Sequence, residues 1–286
     1  MTGCATGSIP NSVPTFTSGE TAMEFQNKTI VITGAAGVFG RWITERFARD
    51  GARLCLSDNR RSHLDELAAN LALPPSRTIL HATELTDEDS ILDLAVKVRD
   101  AWHAPDIVVN NAGQYPRGGL LDLSAADWDR IFAVNLRAPF LVTREMAKLM
   151  IAAGRKGAVV NISSGASRQM RSGSVPYCTS KTALERLTKG FALELAPHGI
   201  RVNAVEPGFA PGSRVSKLSE DYVARMRARI PLGRTSGPGD APEAVAYLCS
   251  EKASFITGAV LAVDGGNSIG TFEPGELAAG SGTAAQ

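Results

Sequence analysis

Seven short apolar runs recur along the chain, and each except the last is followed by a segment with helical spacing. TIVITG (29–34) leads to GRWITERFARDG (40–51), and ARLCLSD (52–58) leads to SHLDELAANLAL (62–73). RTILHATEL (77–85) precedes a helix expected over 86–102, and DIVVNNAG (106–113) precedes a long helical stretch over 125–154. GAVVNISS (157–164) precedes a helix over 175–199, IRVNAVEPG (200–208) comes before the helical APEAVAYLCS (241–250), and AVLAVDGG (259–266) closes the series. Strand centres that are apolar throughout, alternating with amphipathic helices, require a parallel sheet covered on both faces. The fold class expected is therefore α/β: a single doubly wound Rossmann domain with about seven strands and a right-handed crossover at each step.

Both ends fall outside this pattern. Residues 1–22 are rich in Ser, Thr, Gly and Pro and read as a disordered arm, with Met23 a second candidate start; 268–286 read as a flexible tail. The domain is expected over 23–267. Within it, 209–234 is long and rich in Gly, Pro, Ser and Arg, which suggests a flap over the carboxyl edge of the sheet. A formal net charge of +1 gives no field that favours nucleic acid or an acidic membrane surface. No run approaches the roughly 20 apolar residues that span a bilayer. The four cysteines, Cys4, Cys55, Cys178 and Cys249, lack metal-ligand or disulfide-framework spacing, so no metal is expected. Scattered thiols and no secretory signal point to the cytoplasm.

TGAAGVFG, Thr33 to Gly40, sits at the turn from first strand to first helix. Glycines at 34, 37 and 40 allow a tight turn and a close backbone approach to a pyrophosphate, which the helix amino terminus then faces. Asp58 ends the second strand at the spacing of the acid that binds the adenosine ribose. A carboxylate there favours NAD, because it accepts from the ribose hydroxyls and repels a 2′-phosphate. Arg60 and Arg61 follow directly and keep NADP, or dual use, as the alternative.

Tyr177 and Lys181 are four residues apart in YCTSK, on one face of a helix. A cation near a phenol favours the phenolate, which suits Tyr177 to general acid/base work; the plain alternative is a surface Tyr–Lys pair. Together with Asn110–Asn111–Ala112–Gly113 after the fourth strand, Asn135 in AVNLRAPF, Ser164 thirteen residues before Tyr177, Pro207–Gly208 and the closing VDGG, the chain resembles the short-chain dehydrogenase/reductase family from about Glu24 to Asn267. That resemblance implies a catalytic tetrad of Asn135, Ser164, Tyr177 and Lys181. Ser164 would bind the substrate oxygen, Tyr177 would exchange the proton, and Lys181 would lower the tyrosine pKa and hold the nicotinamide ribose. Asn135 would anchor a water in a proton path. Taken alone, Ser164 is also a strand-end hydroxyl and Asn135 a polar residue that bends its helix.

The resemblance further implies cofactor contacts at Gly34, Gly37, Val38, Phe39, Gly40, Asp58, Glu84, Leu85, Asn111, Ala112, Gly113, Tyr177, Lys181, Pro207 and Gly208. Three departures stand out. Val38 occupies a position that is glycine in the common branch of the family, giving the TGxxGxxG of the extended branch. Glu84 replaces an aspartate, and Gly212 replaces a threonine that contacts the carboxamide, with Ser213 a neighbouring candidate.

The loops 114–120, 165–176 and 209–234 are expected around the nicotinamide. Arg117, Arg168, Arg171 and Arg214 in them either clamp a substrate anion or are solvated loop arginines. The leading function is an NAD-dependent oxidoreductase acting on a secondary alcohol or ketone. The alternatives are an NADPH-dependent ketone reductase of the 3-oxoacyl type and a non-catalytic dinucleotide-binding regulatory protein. Resemblance implies a homodimer or homotetramer packed through the helices that carry Asn135 and Tyr177.

Overall fold

The computed structural model describes residues 23–212 and 218–272. The seven apolar runs form one seven-stranded sheet in the order β3-β2-β1-β4-β5-β6-β7. The strands are β1 (Thr29–Thr33), β2 (Arg53–Asp58), β3 (Thr78–Ala82), β4 (Ile107–Asn110), β5 (Gly157–Ile162), β6 (Ile200–Pro207) and β7 (Val260–Val263), and every pairing is parallel. The order reverses between β1 and β4, where Thr33 lies beside Asn110. Connections diverge from that point and leave a crevice at the carboxyl ends of the strands, where ligands bind in open α/β sheets.

The helices are α1 (Val38–Arg49), α2 (Arg61–Asn70), α3 (Glu88–Trp102), α4 (Ala125–Phe132), α5 (Ala138–Ala152), α6 (Val175–Leu195), α7 (Glu220–Ala228) and α8 (Ala241–Cys249). Alternate side chains of a strand point to opposite faces, so β1 feeds two cores. Ile30 and Ile32 join Phe47 of α1, Leu64 of α2 and Val245 of α8 on one face. Val31 joins Ile91 of α3 and Met146 of α5 on the other, where Val202 of β6 also packs.

Two of the helix boundaries that differ from the sequence reading have a clear local cause. The helix expected from Thr86 begins at Glu88, because the Asp87 carboxylate caps it by accepting from the Asp89 N–H at 3.1 Å. The single helix expected over 125–154 is two helices joined by a π turn at Ala133–Arg137, in which the Ala138 N–H reaches back five residues to the Ala133 carbonyl. Pro139 accounts for the break. It has no N–H for the carbonyl of Asn135, four residues back, and its ring crowds that carbonyl.

The arm expected over 1–22 and the tail beyond 272 lie outside the described residues, as do Ser213 and Arg214. Among the described residues, no helix is long and apolar enough to cross a membrane. The described part of the flap contains α7, which Ser219 caps by accepting from the Tyr222 N–H.

Candidate active site

The glycine turn is fixed from two sides. Gly34 has φ +61°, and a β-carbon there would stand 2.7 Å from the Ala112 α-carbon, so the turn after β1 touches the backbone after β4. A β-carbon on Gly40 would stand 2.8 Å from the Asn111 Nδ2. That Nδ2 donates to the carbonyls of Thr33 (3.1 Å) and Gly34 (2.8 Å). Asn111 thus holds the turn by its side chain. Gly37 caps α1 with no side-chain bond, which leaves the helix start open to an anion. Val38 and Phe39 form its first residues, and Phe39 packs edge-on against Trp42.

Asp58 lies beside this turn, its Oδ2 accepting from the Ala36 N–H at 3.2 Å. Of the two arginines after it, Arg61 is engaged with Asp65 (3.0 Å) and the Leu80 carbonyl (3.3 Å), while Arg60 is exposed. Glu84 is exposed and accepts from the Thr86 N–H and hydroxyl, while Leu85 is buried against β1. Gly208, after Pro207 at the end of β6, donates its N–H to the Val263 carbonyl at 2.9 Å. A tight turn, an uncapped helix start and a carboxylate at its flank suit a dinucleotide's pyrophosphate and ribose.

The four tetrad residues converge at the carboxyl edge. Asn135 is 0% exposed in the π turn; its Oδ1 accepts from the Gln114 N–H (2.7 Å), and its Nδ2 donates to the Gln114 carbonyl (2.8 Å) and Ser180 hydroxyl (3.0 Å). The side chain therefore anchors the loop after β4. Lys181, 3% exposed, donates to the Ile162 carbonyl at 2.7 Å. A β-carbon on Gly113 would stand 3.6 Å from both the Lys181 Nζ and the Asn135 Oδ1, so that glycine sits over the two. The Tyr177 phenol neighbours Ser164, whose Oγ accepts from the Ala166 N–H at 3.2 Å, and its ring meets Tyr115 edge-on at 6.2 Å.

The electrostatics differ from expectation. Burial pushes the Tyr177 pKa above its ordinary value; the Ser164 hydroxyl and the Arg171 charge pull it down without prevailing. Lys181, whose amine lies 5.9 Å from the ring centroid, is not among the groups that set this shift; its own pKa is brought down to about 8 by burial, with Glu185 opposing.

The arginines also sort themselves. Arg168 donates from Nε to Glu206 Oε1 at 3.0 Å and pairs through Nη2 with Oε2 at 2.5 Å, so it is neither free to clamp a substrate anion nor simply solvated. Arg117 donates to the Tyr222 hydroxyl at 2.5 Å and lies over its ring at 5.1 Å, linking the loop after β4 to α7. Arg171 is exposed at the mouth of the site.

Behind Ser164 lies a polar cluster that the sequence reading did not single out. Glu206, fully buried on β6, accepts from the Ser167 hydroxyl at 2.7 Å, and Glu185 on α6 accepts from the Ser163 hydroxyl at 2.6 Å. The two carboxyls are neighbours, and Glu206 helps to raise the Glu185 pKa. One signal was available. Glu206 interrupts the apolar run of β6 just before Pro207, and Glu185 follows Lys181 by one helical turn.

A family profile described as enoyl-(acyl carrier protein) reductase matches residues 34–268. The chain is 35% identical over 244 residues to a 3-oxoacyl-[acyl-carrier-protein] reductase of Thermotoga maritima, a match covering 85% of this chain and 99% of that protein. It is 38% identical over 245 residues to a cis-4-hydroxycyclohexanecarboxylate dehydrogenase of Sinomonas cyclohexanicum, covering 85% and 97%. The fold superposes on a 3-ketoacyl-(acyl-carrier-protein) reductase from Brucella melitensis complexed with NADH, with a TM-score of 0.77, 29% identity and coverage of 85% and 99%.

Proposed function

The chain belongs to the short-chain dehydrogenase/reductase family, and on that premise we propose that it is an NAD-dependent oxidoreductase that interconverts a secondary alcohol and its ketone. The catalytic unit is residues 23–267, with 209–234 as the substrate flap. The observation that carries this reading is the convergence of Ser164, Tyr177 and buried Lys181 at the carboxyl edge of the sheet, with Ser164 acting on the Tyr177 phenol and the Lys181 amine 5.9 Å from its ring centroid. The nicotinamide, when bound, takes or supplies the hydride. Every other task belongs to the chain. Ser164 hydrogen-bonds the substrate oxygen, and Tyr177 takes or gives the proton at its phenolic oxygen. Lys181 supports Tyr177 from below and reaches the nicotinamide ribose. Asn135, pinned to Gln114, holds the end of the proton path.

Gly34, Gly37, Val38, Phe39 and Gly40 would cradle the pyrophosphate, and Asp58 would accept from the adenosine ribose. Glu84 and Leu85 would border the adenine. Asn111, Ala112, Gly113, Pro207 and Gly208 would line the remaining cofactor path. NAD is preferred over NADP because the Asp58 carboxylate faces the turn while Arg61 is held by Asp65. Similarity to 3-oxoacyl reductases and the exposed Arg60 support a second reading, an NADPH-dependent 3-oxoacyl-type reductase. Titration of the protein with NADH and NADPH, followed by tryptophan fluorescence, separates the two. Tighter NADH binding and turnover of secondary alcohols support the first, tighter NADPH binding supports the second, and binding of neither removes both.

A homodimer or homotetramer is proposed through the face of α4, α5 and α6 that presents Phe132, Leu136, Phe140 and Leu187. The buried free thiols at Cys55, Cys178 and Cys249 suit a cytoplasmic setting.

A further inference from the structure

We propose that Glu185 and Glu206 are a pair of positioning residues that hold the turn carrying Ser164 from both sides, through the hydroxyls of Ser163 and Ser167. The inference rests on reading Ser164 and Tyr177 as the proton-transfer site.

Ser164 stands between two serines whose hydroxyls are both engaged by carboxylates. The Ser163 hydroxyl donates to Glu185 at 2.6 Å, and the Ser167 hydroxyl donates to Glu206 at 2.7 Å. The acids come from different elements, α6 and β6, and meet beneath the 3₁₀ turn Gly165–Ser167. Arg168 closes the far side with its two-point grip on Glu206. Strand pairing adds a further tie, since the Ser163 N–H donates to the Val205 carbonyl at 2.7 Å. The turn is thus fixed at residues 163, 167 and 168, while Ser164 is left to face Tyr177.

Half-buried Glu185 has the fully buried Glu206 as its neighbour, and a second carboxylate nearby disfavours ionisation of the first. Burial, the largest cause, raises Glu185, with the neighbouring Glu206 adding to it and the Ser163 and Ser167 bonds opposing. The charged groups facing the pair are Lys181 one turn before Glu185, Arg168, and Asp264 after β7, whose charge acts on Arg168. Asp264 Oδ2 and Ser268 Oγ are buried without a hydrogen-bond partner beside Gly165. The pair therefore sits in a polar pocket behind the active site, separated from substrate by the Ser164 turn.

The test needs no substrate, because Tyr177 reports the position of Ser164. The phenol titration of Tyr177 is read as the ultraviolet phenolate difference between each protein and the same protein carrying Tyr177→Phe. Ser164→Ala removes the hydroxyl that favours the phenolate, so the titration moves up. Glu206→Ala and the double variant Ser163→Ala/Ser167→Ala are expected to move it up as well. Glu206→Gln, which retains an acceptor for Ser167, is expected to stay near wild type. NADH affinity is expected to change less than twofold throughout, which distinguishes a displaced turn from general unfolding. The double serine variant leaves the buried charges in place, so it serves where Glu206→Ala fails to fold. If Ser164→Ala shifts the titration and neither the serine nor the Glu206→Ala variant does, the pair does not position the turn. If the variants lose NADH binding in parallel, the pair is part of the general core and the proposal fails. If Ser164→Ala itself leaves the titration unchanged, the proton-transfer reading falls and takes the proposal with it.

Discussion

The Gly34 turn and the Ala112 backbone are in direct contact: a β-carbon at 34 would lie 2.7 Å from the Ala112 α-carbon and 2.9 Å from its nitrogen. Position 34 also has φ +61°, a conformation that costs a residue with a β-carbon about 1–2 kcal/mol. Gly34→Ala is therefore expected to lower stability by at least that amount and to weaken NADH binding about tenfold or more through displacement of the loop. Denaturant unfolding and NADH titration measure the two effects. Full retention of both would mean that the contact between β1 and β4 does not shape the cofactor site.

Removing the phenolic oxygen should separate chemistry from binding. Tyr177→Phe is expected to reduce turnover by roughly 10²–10⁴ while NADH affinity stays close to wild type. Steady-state kinetics on whichever secondary alcohol the wild type oxidises provides the comparison. Undiminished turnover would remove Tyr177 from the reaction.

Lys181 is held at a pKa of about 8 by burial, below its ordinary 10.5. A lowered lysine contributes stability that is complete above about pH 10.5 and is lost as pH falls through about 8. Lys181→Met removes that dependence. At pH 7 the variant is expected to be at least as stable as wild type, and the difference should narrow as pH rises from about 8 toward 10. Chemical denaturation at several pH values tests this, and a variant uniformly less stable across the range would contradict it. Activity should be lost at every pH.

Asp58 is expected to set the cofactor preference. Hydrogen bonds to a charged group contribute about 1.5–3 kcal/mol, so Asp58→Ala should weaken NADH binding about 10- to 100-fold. It should also narrow the gap to NADPH, since a 2′-phosphate no longer meets a carboxylate. Parallel titrations of both cofactors decide it, and an unchanged NADH/NADPH ratio would exclude Asp58 from the ribose site.

Phe140 is 38% exposed on the apolar face of α5 and stacks on Phe191 of α6. Phe140→Asp places a charge on the proposed subunit contact. Sedimentation of wild type and variant is expected to show an oligomer and a smaller species, respectively. A monomeric wild type would end the assembly proposal.

The sheet was legible because each strand carries an unbroken apolar run and each turn its own stop signal. Thr29 to Thr33 is buried on both faces, and no amphipathic alternative competes there. The Tyr177–Lys181 pair was legible from its spacing on one helical turn of α6, whereas Asn135 and Ser164 were named only through the family resemblance, because they come from other elements, the π turn and the 3₁₀ turn after β5. Glu185 and Glu206 were not legible, because 21 residues and a strand–helix boundary separate two side chains that meet only in three dimensions. The fate of Arg168 followed the same logic. A loop arginine reads as free until the buried carboxylate opposite it is known.

The π turn at Ala133–Arg137 amounts to one surplus residue inserted into an otherwise continuous helical rod. Each residue of an α-helix advances the azimuth by about 100°, so α5 is phased by that surplus relative to α4. Deleting a single residue between 133 and 137 would rotate Leu141, Val142 and Met146, all inward-facing on α5, by about a quarter of a circumference toward solvent. The segment that orients Asn135 is thus also the phase-setting element for the helix downstream. Shortening the chain there should be far more damaging than substituting any one of its residues, and a lineage that acquired the insertion would find it hard to lose.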